Sequence, residues 1–203
     1  RGGSAEAHIP AKRSHAEGLA LELKLPHIRL VDGMGGGGSV KTIEIVGRTY
    51  IPTLRGWEII VQHLGVAPSV SLALGSVAGI GAARVATSHY SLIVKNTAQM
   101  MIAGPALVGW AGLGKVEKEE LGASSIHTGN GAIDDEVSSE EEAFARASRF
   151  LSYLPQNVDE LPPITKTGDD PNRVDEALSS VIPKNPRQVY KMRGVVESVV
   201  DKD

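Results

Sequence analysis

Apolar residues recur with a helical period in some stretches of the chain and run together in short segments elsewhere. The short segments, several of them rich in β-branched residues, predict strands over residues 28–31, 69–74, 90–94 and 99–102. The helical periods predict helices over residues 5–24, 50–64 and 79–87. Buried strands that alternate with helices pair in parallel and are covered by those helices. The pattern therefore predicts an α/β fold with a parallel sheet.

The last third of the chain has a different character. It contains the clearest predicted helix, over residues 139–154, in which Ser139 and Glu142 form a capping box ahead of the apolar stripe. Residues 156–172 are rich in Pro and Asp and predict an ordered surface excursion, and residues 186–200 predict a final amphipathic helix. A group of acidic residues surrounds the start of the clear helix, and we ascribe it to dipole complementarity and solvation, without chemistry: Asp134, Asp135, Glu136, Glu140, Glu141 and Glu142.

The apolar stripes also predict which helical side chains face the core. In the first helix the stripe leaves Glu17 among the polar positions, away from the core. Trp110 is expected in the core or at an interface. The predicted core-facing side chains are Ala16, Leu19 and Leu23 in the first helix, Trp57, Ile60, Val61 and Leu64 in the second, and Phe144, Ala147, Leu151 and Leu154 in the helix over residues 139–154.

The amino-acid composition argues against several classes of function. Cysteine is absent, which excludes a disulfide framework, a thiolate nucleophile and a cysteine metal site, and the six histidines lack ligand spacing, so we expect no metal. The net charge of −3 gives no basic field for a polyanion, and the chain offers few aromatic rings for base stacking, so we expect no nucleic-acid partner. Polar residues interrupt the weakly charged stretch over residues 59–114, and no membrane span is predicted.

The first glycine segment, residues 33–38, follows the first predicted strand. Gly33, Gly35 and Gly38 match a dinucleotide-binding pattern, but the match is weak because a long helix precedes the strand and the acidic candidate Glu58 falls inside a helix. What remains is a loop with free backbone amides and no side-chain walls, which suits a closely approaching carbonyl oxygen. A flexible glycine turn is the alternative.

The second glycine segment, residues 75–81, lies where the second predicted strand ends and a helix of small residues begins. Amides at such a junction point outward and suit an oxyanion. Tight packing of the helix on the sheet through small residues is an equally good account of this segment taken alone.

Together the two segments resemble the oxyanion architecture of the crotonase-like superfamily. More specifically, the chain resembles the N-terminal half of the carboxyltransferase β subunit of biotin-dependent acyl-CoA carboxylases, of the propionyl-CoA and methylcrotonyl-CoA carboxylase type. Val31-Asp32 and the following glycines resemble that family's V-D-S-G-G-A loop, and residues 75–82 resemble its G-P-C-A-G-G-A segment. Further matches lie at residues 102–105, 119–123, 125–128, 150–155 and 199–201, in order and over nearly the whole chain.

The resemblance implies an incomplete crotonase-like fold, an α/β superhelix of β-β-α units. Residues 1–203 would be part of the N-terminal carboxyltransferase domain, without the start of that domain and without the C-terminal domain. The implied activity is transfer of a carboxyl group from carboxybiotin to the α or vinylogous γ carbon of an acyl-CoA. Backbone amides would stabilise the enolate, and the biotin ureido nitrogen would take the acyl proton.

The resemblance also assigns site residues. The amides of Gly35, Gly36, Gly79 and Ile80 would act as oxyanion donors, with Gly81 as the next candidate along the chain. Coenzyme A would lie against Ala78, Gly81, Gly104 and Pro105. Two departures from the family pattern are visible, since Gly33-Met34-Gly35 stands for Ser-Gly-Gly and Gly79-Ile80 for paired glycines. The second places a branched side chain beside the reacting carbonyl.

The implied partners are further copies of the subunit, in a homo-oligomer of hexamer type, and a biotin carboxylase or biotin carboxyl carrier subunit that brings the biotin. The compartment would be the cytoplasm in a bacterium or the mitochondrial matrix in a eukaryote. Three alternatives stay open: a biotin-dependent decarboxylase, a non-catalytic assembly subunit, and a hydratase or isomerase. The last is weaker because it needs carboxylates at the two glycine segments, and Asp32, directly before the first segment, is the only acid there.

Overall fold

A computed structural model describes residues 10–33, 44, 47 and 56–201, and the chain divides into two units, Arg1–Pro162 and Pro163–Asp203. In the described part of the first unit the helices are α1 (Pro10–Glu22), α2 (Trp57–Leu64), α3 (Ile80–Ala86), α4 (Pro105–Trp110), α5 (Lys118–Gly122), α6 (Ser124–Gly129) and α7 (Glu140–Ser152). The strands are β1 (His27–Val31), β2 (Ser69–Ala73), β3 (Ser76–Ala78), β4 (Tyr90–Val94), β5 (Gln99–Met101) and β6 (Asp135–Val137).

The strands form two parallel sheets. The larger sheet has the order β1-β2-β4-β6, and the smaller sheet pairs β3 with β5. All five residues of β2 are buried, as expected for a strand with neighbours on both sides and helices against its faces. The core consists of apolar side chains from β2, β4, α3 and α7 and the segments beside them, among them Val70, Leu72, Val77, Val85, Leu92, Ile93, Ile133 and Ala147. The predicted parallel α/β arrangement is confirmed.

Two strands that the pattern did not predict complete these sheets. β3 has only three residues between two glycines, which is too short for an alternation to be visible. β6 contains two acidic residues and buries only Val137, so it does not resemble an apolar strand. Glu140, Glu141 and Glu142 lie in the first turn of α7, where acidic side chains complement the helix dipole as predicted. Asp134 is exposed but has a structural part that the sequence did not predict, because it accepts hydrogen bonds from the backbone N and the Oγ of Ser91, at 2.8 and 2.7 Å.

The predicted helix faces are wrong at several positions. In α7 the buried residues are Ala143 and Ala147, while Phe144 is 42% exposed. Small alanine side chains let the helix approach β4 closely, which turns the larger ring outward. The first helix departs further, because Leu19 and Leu23 are exposed and Glu17 is buried.

α2 shows the same kind of departure. Its buried residues are Ile60 and His63, whereas the predicted core residue Val61 is more than half exposed. His63 is accommodated because its Nε2 lies 2.9 Å from the carbonyl oxygen of Leu25 and bonds to it. Trp110 in α4 is 91% exposed, so it is not a core residue of this unit.

In the second unit the helices are α8 (Leu178–Val181), which was not predicted, and α9 (Met192–Val199), which covers only the later part of the helix predicted over residues 186–200. Arg173 ties this unit together, since it pairs with Asp169 at 2.8 Å and donates to the carbonyl oxygens of Ser198 and Val200. None of the helices in the described parts of the chain is long and apolar enough to cross a membrane.

Candidate functional site

The two glycine segments leave the larger sheet side by side. β1 and β2 run parallel in a register that pairs Val31 with Ala73, so both strands end at the same edge. The N–H of Leu74 extends this pairing by donating to the carbonyl oxygen of Val31 at 3.0 Å. Asp32 and Gly75 therefore follow at neighbouring positions, where chains that leave a parallel sheet commonly build a site.

Close packing joins the segments. A Cβ on Gly75 would collide with the carboxylate of Asp32. A Cβ on Gly81 would lie 3.1 Å from the carbonyl oxygen of Gly33 and 3.0 Å from Cγ1 of Val77, closer than side chains normally allow. The structure thus brings Gly33 close to Gly81. A side chain on Gly81 would press on the backbone of Gly33, whereas a side chain on Gly75 would have to displace the exposed carboxylate of Asp32.

The backbone N–H groups of the second segment differ in whether they already have a hydrogen-bond acceptor within the protein. Gly79 has a φ of 59° and a ψ of −121°, and its N–H donates to the carbonyl oxygen of Met101 at 3.0 Å. This bond continues the β3–β5 ladder, so the predicted Gly79 donor is engaged in the sheet. The N–H groups of Ile80 and Gly81 find no acceptor among the residues that the structure describes. Gly35 and Gly36, the predicted donors of the first segment, lie outside the described residues.

The predicted coenzyme A residues lie at one end of the smaller sheet. Ala78 in β3 pairs with Met101 in β5, so the segments after these two strands begin next to each other. One of them is the second glycine segment, and the other leads through Gly104 to Pro105, the first residue of α4. No described atom lies within 4 Å of a Cβ built on Gly104, which leaves open space there.

A groove of about 460 Å³ borders this region. Pro105 and Trp110 are among the residues that line it, together with the basic group of Lys115 and the carboxylate of Glu117. The resemblance did not draw attention to Lys115, because only the geometry of α4 brings this side chain near Pro105.

A buried group of charges includes Arg84 of α3, the helix that continues the second glycine segment. Glu17 is 2% exposed and forms ion pairs with Arg84 in α3 and with Arg29 in β1. Burial is the largest cause that lowers the pKa of Arg29. One sequence signal was available, since Arg84 is one of only two Arg, Lys, Asp or Glu residues in residues 59–114, and such a charge, if it is buried, needs a partner.

Metal-ion chemistry finds no support in the side-chain clusters that the structure describes. Within residues 10–33 and 56–201, no group of three or more His, Asp or Glu side chains lies in an arrangement that would hold a metal ion.

Comparison with known sequences places the chain in one family of enzymes. The family model described as carboxyl transferase domain matches residues 1–203. The α subunit of methylmalonyl-CoA decarboxylase from Veillonella parvula is 31% identical over 98% of this chain and 38% of its own length. The propionyl-CoA carboxylase β chain of Cereibacter sphaeroides is 30% identical over 93% of this chain and 37% of its own. The chain thus spans less than two fifths of the length of these relatives.

Comparison with solved structures supports the fold. The transcarboxylase 12S structure, a hexamer assembly with hydrolysed methylmalonyl-coenzyme A bound, has a TM-score of 0.71 at 23% identity, covering 98% of this chain and 38% of that one. The β subunit of geranyl-CoA carboxylase from P. aeruginosa has a TM-score of 0.63 at 23% identity, covering 100% of this chain and 37% of that one. These likenesses confirm the predicted crotonase-like α/β fold.

Proposed function

Since the chain belongs to the carboxyl transferase domain family, we propose that it is part of the carboxyltransferase component of a biotin-dependent acyl-CoA carboxylase. The observation that carries the proposal is the contact of Gly33 with Gly81. It lies between the two segments whose amides the chemistry needs, in a chain that matches the family over its whole length.

The first task of these residues is to hold the thioester oxygen of an acyl-CoA. We assign this role to the N–H groups of Ile80 and Gly81, and we move the donor away from Gly79 because Met101 takes its N–H. Gly35 and Gly36 remain our candidates in the first segment. Removing one such donor typically lowers the transition-state stabilisation by about 3–4 kcal/mol, so two donors supply much of what an enolate requires.

The second task is to keep the reacting carbonyl in a dry place. The side chains of Val77 and Val31 lie 3.0 and 3.8 Å from the Cβ position of Gly81, so apolar groups flank the donors. Exclusion of water strengthens the hydrogen bonds that develop as the oxygen becomes negative. Carboxybiotin, when bound, supplies the carboxyl group and the base that takes the acyl proton.

Coenzyme A, in this proposal, follows the end of the smaller sheet. Ala78, Gly81, Gly104 and Pro105 would contact it, and the open space at Gly104 supports that path. Lys115, in the groove beside Pro105, provides an ammonium group for a phosphate.

The wider assembly is proposed by analogy with the relatives. The transcarboxylase 12S structure is a hexamer assembly, and we propose a homo-oligomer of the same type for the complete subunit. Biotin would arrive on a biotin carboxyl carrier or biotin carboxylase partner. Relatives include bacterial proteins and a mitochondrial human chain, which supports the cytoplasm or the mitochondrial matrix as the compartment.

A second candidate function is biotin-dependent decarboxylation. It is favoured by the likeness to a methylmalonyl-CoA decarboxylase α subunit over 98% of the chain. The same amides would serve both directions, because the enolate is common to both. The partner subunits would decide which direction is driven.

Assay of the full-length subunit with its biotin partner tests these proposals. We expect labelled bicarbonate to enter one member of a panel of acyl-CoA thioesters in the presence of ATP, and avidin to abolish the incorporation. Release of CO₂ from a carboxylated acyl-CoA, without incorporation, would replace the first proposal by the second. Hydration or isomerisation of an enoyl-CoA that avidin does not inhibit would contradict both.

A further inference from the structure

A charge cluster made of Glu17, Arg29 and Arg84 lies against the helix that continues the second glycine segment. The three residues belong to α1, β1 and α3 and are 2, 6 and 6% exposed. Glu17 pairs with Arg84, and its Oε1 lies 3.9 Å from Nε of Arg29. Apolar residues of similar volume would often be at least as stable in such a place, so stability alone does not account for a buried carboxylate here.

Hydrogen bonds and ion pairs of the cluster and its neighbours connect side-chain and backbone atoms of α3 to the rest of the first unit. The carbonyl oxygen of Arg84 accepts a hydrogen bond from Ser71 in β2 at 3.3 Å. Arg29 donates from Nη1 to the carbonyl oxygen of Thr87, the residue that ends α3, at 2.9 Å. The guanidinium of Arg84 also lies 5.8 Å from the ring centroid of Trp57 in α2. α3 is therefore fixed to the sheet and to both flanking helices through charged groups.

Several buried polar atoms of the cluster lack a hydrogen-bond partner in the described part of the chain, so its ion pairs depend on one another. Oε2 of Glu17, Nε and Nη2 of Arg29, and Nε of Arg84 are buried without a hydrogen-bond partner among the described residues. Two guanidinium groups thus share one carboxylate. Loss of that carboxylate would leave two buried cations facing each other, and α3 would have to move to separate or hydrate them.

A movement of α3 would shift Gly81, which belongs to the candidate site. Arg84 and Gly81 are three residues apart in the same helix, and Gly81 is the residue that contacts Gly33. We propose that Glu17 is a positioning residue, which holds Gly81 against Gly33 through its ion pair with Arg84. The inference rests on the proposed function, because the activity it tunes is carboxyl transfer.

The test compares two variants of the same helix in the full-length subunit with its partners. Glu17→Gln keeps the size of the side chain and removes its charge. Glu22→Gln is the matched control, since Glu22 is exposed at the end of α1 and pairs with no other described residue. Two readouts are measured: kcat and KM for the acyl-CoA, and amide hydrogen exchange of residues 80–86 resolved by peptide mass spectrometry.

For Glu17→Gln we expect kcat to fall about tenfold with KM changed less than about twofold, because positioning affects the transition state more than binding. Exchange should become faster in residues 80–86 while β2 and β4 stay protected. Glu22→Gln should change neither readout. If Glu17→Gln does not fold, Arg29→Gln carries the same expectation, because it removes the link to Thr87.

Unchanged kcat with unchanged exchange would overturn the inference. So would faster exchange throughout the larger sheet with kcat and KM both altered, since that pattern reports general destabilisation. If the unmodified subunit transfers no carboxyl group, the proposed function fails by itself. Faster exchange confined to residues 80–86 would then still support the link from Glu17 to α3.

Discussion

The carbonyl oxygen of Gly33 lies 3.1 Å from the position that a Cβ would occupy on Gly81. These residues are far apart in the sequence and follow two different strands, yet the parallel pairing of β1 and β2 brings them into contact. The contact leaves room for backbone but not for a side chain. It is the geometric basis for assigning the amides of the two segments to one site.

Substitution of Asp32 tests whether the reaction proceeds without a side chain that acts as a general acid or base. It is the only carboxylate in the two glycine segments and the residue next to them, and its side chain is exposed. Because amides and carboxybiotin suffice for the proposed reaction, we expect Asp32→Ala to keep kcat for carboxyl transfer within about threefold. A drop of about 10³-fold or more, with KM unchanged, would instead indicate a general acid or base at this position.

Gly75 offers a test of the packing between the segments. A side chain at this position would displace the carboxylate of Asp32, the residue next to Gly33. We expect Gly75→Ala to lower kcat about tenfold or more, since small displacements at a site are costly. Adding Asp32→Ala should restore most of the loss. If the double variant is as slow as Gly75→Ala alone, the clash with Asp32 is not the cause.

Because the pKa of His27 is lowered in the folded protein, we expect the free energy of unfolding to decrease at acidic pH. Burial, and then the nearby charges of Arg29, His63 and Arg84, lower this pKa from 6.5 to about 4. Between these pH values the unfolded chain binds the proton and the folded chain does not. The stabilisation is therefore complete above pH 6.5 and is lost as the pH falls towards about 4.

Two measurements check this pH dependence. NMR titration of the ring should give a pKa near 4 for His27. Urea unfolding at several pH values should show a smaller decline between pH 6.5 and 4 in His27→Gln than in the unmodified protein. A ring that titrates near its ordinary value, with the same decline in both proteins, would contradict the burial argument.

The bond between Asp134 and Ser91 should contribute to the stability of the sheet edge. Asp134→Ala leaves the buried N–H of Ser91 without its acceptor, and such a loss typically costs about 1–3 kcal/mol in the free energy of unfolding. Asp159→Ala is a suitable control, because Asp159 pairs with Lys24 on the surface and such pairs contribute about 1 kcal/mol or less. Equal losses in urea unfolding would show that Ser91 finds another acceptor.

Local sequence information was sufficient for the elements with a strong pattern. β1, β2, β4 and β5 lie where apolar segments predict strands, with ends that differ by at most one residue, and α3 lies within its predicted range. These elements obey local rules, since apolar runs form buried strands and glycines mark their ends. The two glycine segments were visible for the same reason.

Other features depend on contacts between distant residues, which no local pattern reveals. Glu17 is buried because Arg84 and Arg29 face it, so the polar position on the helix became the buried one. Likewise the N–H of Gly79 is taken by Met101, which depends on the pairing of β3 with β5. Strand β6 forms because Asp134 and its neighbours bond to β4, although their acidic side chains argue against a strand.

The kcat of Gly81→Ala in carboxyl transfer tests the central claim most directly. The added Cβ lies 3.1 Å from the Gly33 oxygen and 3.0 Å from Val77, so the segments must separate by a few tenths of an ångström. Gly129→Ala is the control, since nothing lies within 4 Å of a Cβ there. We predict a fall in kcat of about tenfold or more for Gly81→Ala, with folding little changed, and none for Gly129→Ala. Equal kcat values for the two variants would contradict a catalytic site at the contact of Gly33 with Gly81.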